Sequence, residues 1–345
     1  MHIYISHLPR KLAAMLKEKY GMSSPENQIY KGVFRSIMCA LFALNIGLLG
    51  ACSQQNTQRN DHLAAITSDP VSVDANYPPV SIGLDFVSHG SALNGQIYLA
   101  DGAGPHPTVI LLHGLPGYEK NLDIAQAIRR AGYNVLFFHY RGAWGSEGDF
   151  SFTHTIEDVL AASAFLRRDE SITKYRTDPT KVIFLGHSMG GFTSLAAGAL
   201  DKETKCVAAM SPVDYGIFAH IVETESGTET LEKFIAYIDG QYLSGSGPLQ
   251  GTSAKHMLQD VFNHRESFSL THRAEEFSDR RVFLSAANKD TVLPPKIYHS
   301  ALVTAFEANP KISLTHKIFE GDHNYSWSRI ALSEDIVQWL NENCR

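Results

Sequence analysis

The sequence predicts an α/β domain, with a mostly parallel central sheet flanked by helices and a helical cap inserted late in the chain. Three observations carry this. Short continuous apolar runs such as TVILLH, NVLFFHY and KVIFLGH have the length and composition of strands buried on both faces. Segments with apolar residues at helical spacing alternate with them. The alternation breaks between Val213 and about Ser278, where helical patches such as ETLEKFIAYI and the glycine-rich SGSGPLQG take over. Long insertions of this kind usually sit over the active site of an α/β fold.

In order, SIGLDFVS and GQIYLA read as opening strands that form an antiparallel pair. TVILLH is the first buried strand, and NLDIAQAIRRAG a helix stopped by its glycine. NVLFFHY and IEDVLAASAFLRR repeat the unit. KVIFLGH, CVAAM and RVFLSAA complete the central strands, and ISLTHKIF follows near the C-terminus. The resulting organisation is an N-terminal extension and signal peptide over 1–51, a flexible tether over 52–79, and the α/β domain over 80–345 with its cap at about 213–278.

The 345 residues carry a formal charge of -6, with 44% hydrophobic and 19% charged residues. That is an ordinary globular composition, and with no basic stripe it argues against a nucleic-acid partner. The four cysteines form no CxxC pair and no Cys/His zinc pattern, so no zinc site is expected. Cys206, in CVAAM, reads as a free buried thiol, and Cys344 as part of a loose chain end. Pairing of the two is open to an exported protein.

Lys31 and Arg35 precede an apolar run, Ile37 to Leu49, that ends in LGAC at Cys52. The run is short for a bilayer span and has the length of a signal-peptide core. Its ending resembles a bacterial lipoprotein lipobox. That resemblance implies lipidation of Cys52, a membrane anchor and residence in the cell envelope, at the outer membrane or periplasmic face of a diderm cell. Met1 to Gly21 lies upstream of the charged region, which makes Met22 a candidate start. The stretch SQQNTQRNDHLAA is polar and aperiodic, as a tether is.

Gly186-His187-Ser188-Met189-Gly190 follows a predicted strand and precedes a predicted helix. In this G-x-S-x-G turn the glycines permit close packing, and the serine hydroxyl stands at the C-terminal edge of the sheet. Ser188 is therefore the candidate nucleophile. A serine needs a base and an orienting acid, which in this arrangement follow in the order acid, then histidine. His323, in FEGDHNYSW after the last strand, is the candidate base; His316 lies within that strand. Asp290, in SAANKDTVLPP at the end of another strand, is the candidate acid. Asp322 adjoins His323 and points away from it in an extended loop, so it reads as a turn residue. Two backbone N–H groups should form the oxyanion hole: Met189, and Leu115 in the HGLPG loop after TVILLH.

HGLPG, GHSMGG, NKDTVLP and GDHNYS, in this order, resemble the α/β-hydrolase superfamily. The segment YRGAWGSEGDFSF is similar to one in dienelactone-hydrolase-like and prolyl-oligopeptidase-related members, which often carry Asp before the tyrosine; here that position is His139. Arg141 in this segment reads as a structural ion pair. The resemblance implies a serine hydrolase acting on a small-molecule ester or short peptide, without cofactor. A serine nucleophile argues against the related dehalogenases and epoxide hydrolases. The expectation is a carboxylesterase. The alternative is a serine peptidase or aminopeptidase, in which one of Glu223, Glu225, Glu229 and Glu232 holds a substrate amine; a solvated helix face is the plainer reading of these residues. Trp144, Phe150, Tyr237, Tyr242 and Trp327 are candidates for an apolar acyl pocket or for core. A non-catalytic lipoprotein of this fold is disfavoured, since all three catalytic positions are filled.

Overall fold

The structure, a computed structural model, describes residues 64–243 and 247–345, without the side chains of 225–230. The readings made for residues 1–51 and for Cys52 lie outside these residues. The sheet has eight strands among the described residues: β1 (Val80–Ser88), β2 (Ser91–Leu99), β3 (His106–Leu112), β4 (Asn134–Phe138), β5 (Thr177–His187), β6 (Cys206–Met210), β7 (Arg281–Ala287) and β8 (Ser313–Phe319). Their spatial order is β1-β2-β4-β3-β5-β6-β7-β8. β1 and β2 form the expected antiparallel pair, and β2 is also antiparallel to β4. From β4 to β8 every neighbouring pair is parallel.

The helices are α1 (Leu122–Arg130), α2 (Phe152–Leu166), α3 (Asp169–Tyr175), α4 (Met189–Leu200), α5 (Tyr215–Ile221), α6 (Gly227–Ile238), α7 (Ala254–Asn263), α8 (Tyr298–Glu307) and α9 (Arg329–Asn343). Successive strand residues face opposite sides, so each buried run feeds two cores. Val109, Leu111, Ile183 and Leu185 pack with α1 and α9 on one face. Ile110, Leu112 and Phe184 pack with α2, α4, α8 and the inner side of the 213–278 insertion on the other. Each large apolar side chain fully buried in this way contributes about 1.5–3 kcal/mol.

The insertion holds α5, α6 and α7, wide helical turns at Val222–Ser226 and Asp239–Leu243, and a tight helix at Leu270–Phe277. It is tied to itself near its ends and to the loop after β4 in its middle. Buried Asp214 caps α5 by accepting from Ile217 N (3.0 Å) and also takes Thr271 N (3.1 Å). Farther along, Trp144 N donates to Pro248 O and Gln250 N to Gly142 O, each at 2.8 Å. The loop after β4 is thereby bound to the insertion.

Two expectations are corrected. Cys206 is no free thiol and Cys344 no loose end: they form a disulfide with a Cα–Cα distance of 6.1 Å. Cys206 opens β6, and α9 packs across that face of the sheet and delivers Cys344 to it. The pairing spans 138 residues, so no local pattern announces it. The short polar helix α3 was also not expected. It is followed at once by β5, which begins at Thr177, before the apolar run.

Candidate active site

β5 turns into α4 at Ser188, whose backbone adopts φ 58°, ψ -118°. This is a region L-residues rarely occupy, at a cost of order 1–3 kcal/mol. The turn is too tight for side chains on either side. A Cβ on Gly186 would sit 1.9 Å from Gly190 O, and one on Gly190 2.2 Å from Leu112 O. Both glycines of the motif are therefore steric necessities. Ser188 N donates to Met210 O on β6 at 2.9 Å, and Ser188 O accepts from Phe192 N at 3.0 Å, which fixes the turn between sheet and helix. Met189 is the first residue of α4, so its N–H belongs to the unpaired group at a helix N-terminus.

Asp290 and His323 lie on the loops after β7 and β8, at the same edge of the sheet as Ser188. Asp290 Oδ2 accepts a hydrogen bond from His323 Nδ1 at 2.6 Å. Its Oδ1 takes Val292 N (2.9 Å) and Leu293 N (2.8 Å), so both carboxylate oxygens of this buried side chain are satisfied. A carboxylate only accepts, so the proton of a neutral His323 resides on Nδ1 and leaves Nε2 as a base.

Two residues that the sequence reading passed over hold this histidine. His187 donates from Nε2 to the His323 carbonyl at 2.8 Å, and the two rings are 4.8 Å apart. Burial pushes His187 down to about 3, so it remains neutral in this role. Tyr325, wholly buried, places its hydroxyl 2.9 Å from Ser211 Oγ and 3.0 Å from Ser285 Oγ. Burial raises its pKa, and the neutral phenol pins the His323 loop to the ends of β6 and β7. The sequence signals were present: His187 occupies a variable position of the serine motif, and Tyr325 stands two residues after His323.

The HGLPG loop runs beside the serine. A Cβ on Gly114 would come within 3.1 Å of Ser188 Cβ and 3.3 Å of His187 O. Leu115 follows directly, and Trp144 Nε1 donates to Pro116 O at 2.6 Å. The structure thus assembles the HGLPG loop, Ser188 with Met189, and the Asp290–His323 pair along one edge of the sheet.

The remaining candidates fall elsewhere. Asp322 caps a turn by accepting from Ser326 N and Oγ. His316 is on edge strand β8, facing Glu307. Arg141 is buried in an ion pair with Asp158 (2.6 Å) and a contact to Glu157, as its structural reading requires. Phe150 is core, Tyr242 is buried with its hydroxyl on that of Tyr237, and Trp327 is exposed. Glu223 faces Arg265 and Glu232 is exposed, while the side chains of Glu225 and Glu229 lie outside the described set. Among the described residues, no group of three or more His, Cys, Asp or Glu is placed to hold a metal.

A sequence profile of the alpha/beta hydrolase fold matches residues 107–302. Over 152 residues the chain is 31% identical to an sn-1-specific diacylglycerol lipase of Xenopus tropicalis, a match covering 44% of this chain and 43% of that protein. Over 129 residues it is 30% identical to a polyketide transferase of Stachybotrys chlorohalonatus, covering 36% and 41%. The chain thus spans less than half the length of these relatives. Among solved structures it is similar to esterase Est22, with a TM-score of 0.54 at 15% identity over 85% of this chain and 89% of that one, a likeness of fold. With the profile covering more than half of its residues, the chain belongs to the alpha/beta hydrolase fold family.

Proposed function

We propose that the protein is a serine hydrolase that cleaves carboxylic esters through an acyl-enzyme at Ser188. The observation that carries this is the 2.6 Å Asp290–His323 hydrogen bond, on the sheet edge where Ser188 is held in a strained turn. His323 Nε2 takes the Ser188 proton as Oγ bonds to the ester carbonyl carbon, and the carbonyl electron pair moves onto oxygen. The Met189 and Leu115 N–H groups hold that oxyanion. Collapse expels the alcohol, which receives the proton from His323. Water, deprotonated by the same nitrogen, then releases the acid and returns the proton to Ser188. The diacylglycerol lipase among the relatives favours an ester-type acyl donor over a peptide.

The enzyme is further proposed to work in the cell envelope, lipidated at Cys52. The Cys206–Cys344 disulfide supports export, since such bonds persist in oxidising compartments. A fluorophosphonate probe should label the wild type and fail on Ser188→Ala, and aryl esters should outpace aminoacyl arylamides. Labelling that survives the substitution would overturn the assignment of Ser188; preference for arylamides would make the enzyme a peptidase. Incorporation of radiolabelled fatty acid, lost in Cys52→Ala, tests the anchor.

A further inference from the structure

The Gly114–Leu115 peptide carries the proposed oxyanion donor at one end and a buried hydrogen bond at the other. Gly114 O lies 2.8 Å from His113 Nδ1. A carbonyl only accepts, so Nδ1 carries a proton. The other ring nitrogen, His113 Nε2, lies 3.2 Å from Nδ1 of His139. Burial, with Lys120 adding positive charge, holds His113 down at about 4, so at neutral pH it has a single proton and Nε2 is an acceptor. His139 must then be the donor, from Nδ1. An aspartate at this position could only accept, so it could not give this proton to His113.

The pair is enclosed. The two rings stand 5.1 Å apart, and His139 packs against Phe137 at 5.1 Å and Trp144 at 5.8 Å. Gly117, at φ +103°, leaves the room they need, since a Cβ there would lie 2.6 Å from His113 Nδ1 and 2.8 Å from Trp144 Nε1. In a trans peptide the C=O and N–H point in opposite directions. Holding Gly114 O against His113 therefore sets the direction of the Leu115 N–H.

We infer that His139 is a positioning residue for the oxyanion site: its Nδ1–H, given to His113 Nε2, fixes His113 as the Nδ1–H tautomer, whose bond to Gly114 O aims the Leu115 N–H. In the opposite tautomer of His113 a lone pair would face Gly114 O, and the peptide would lose its restraint. The use of that N–H rests on the serine-hydrolase reading; the hydrogen-bond chain does not.

Asparagine at 139 keeps an amide N–H close to where imidazole Nδ1 stands, and leucine removes the donor. With an aryl ester, and rates counted per fluorophosphonate-labelled site, His139→Leu should lower kcat about tenfold with KM within about twofold. His139→Asn should stay within about threefold of wild type. Affinity for a trifluoromethyl ketone should fall in proportion to kcat/KM, which a loss of folded protein alone would not produce. Nitrogen-15 NMR of histidine-labelled wild type at pH 7 should find His113 neutral with its proton on Nδ1, and His139→Leu should shift that tautomer balance. An Nε2–H tautomer in the wild type, unchanged kcat in His139→Leu, or asparagine no better than leucine would each overturn the inference. If the wild type hydrolyses no ester, the serine-hydrolase reading fails, and the NMR tautomer still decides the hydrogen-bond chain.

Discussion

His323 Nδ1 lies 2.6 Å from Asp290 Oδ2, while the second oxygen of that carboxylate is taken by two backbone N–H groups. The aspartate therefore cannot swing away, and it can only accept. Asp290→Asn offers an amide that donates equally well, which favours the Nε2–H tautomer of His323 and removes the lone pair that the proposed mechanism uses as its base. Steady-state kinetics with an aryl ester should show kcat down by about 10³–10⁴, with the fold intact by circular dichroism. A loss under tenfold would mean that Asp290 does not set the tautomer.

Ser188 holds φ 58°, ψ -118° between two glycines that no other residue can replace without a clash. Glycine pays no Cβ penalty in that region, although it brings about 0.5–1 kcal/mol of extra chain entropy to the unfolded state. Relief of roughly 1–3 kcal/mol of strain outweighs this. Ser188→Gly and Ser188→Ala should both be inactive, yet the glycine variant should be the more stable by about 1 kcal/mol. Urea unfolding of the pair measures it, and equal midpoints would show that the turn stores no strain.

Much of this site was legible because its parts are local. G-x-S-x-G reports a turn whose glycines touch residues four apart or the adjoining strand, and Asp290 and His323 each follow an apolar strand run. The scaffold was readable for the same reason, since burial on both faces writes itself as continuous Val, Ile, Leu and Phe. What escaped depends on contacts across long stretches of chain. His187 reaches the His323 carbonyl across 136 residues, Tyr325 reaches Ser211 across 114, and Cys206 reaches Cys344 across 138. The partner of His139, 26 residues upstream, is set by the pairing of β3 beside β4, which no single segment reveals.

His299, buried on α8, has no hydrogen-bond partner at either ring nitrogen among the described residues, and burial lowers it to about 4. The unfolded chain takes up a proton near pH 6.5 that the folded state refuses. Stability is therefore unaffected by this group above about pH 6.5 and falls as pH drops from there towards 4. At pH 5 the loss should be about 2 kcal/mol from His299. His113, His139 and His187 carry depressions of the same sign and add to the slope. His299→Phe should lose correspondingly less stability than wild type between pH 7 and pH 5, by urea titration at each pH. Parallel losses in the two proteins would refute the assignment.

The Cys206–Cys344 bond closes a loop of 138 residues at the start of β6, whereas Ser188 stands beyond the far end of neighbouring β5. Cross-links of this span are worth up to about 5 kcal/mol by chain entropy, and about 2–4 kcal/mol in practice. Cys344→Ser should therefore lower the unfolding free energy by about 2–4 kcal/mol while kcat stays within about twofold. A phosphine reductant should destabilise the wild type to the level of the variant and leave the variant unchanged. Protein made in a reducing cytosol should behave like the variant until it is oxidised. If reductant leaves the wild-type midpoint unmoved, the bond contributes nothing to the fold, and its support for export is lost with it.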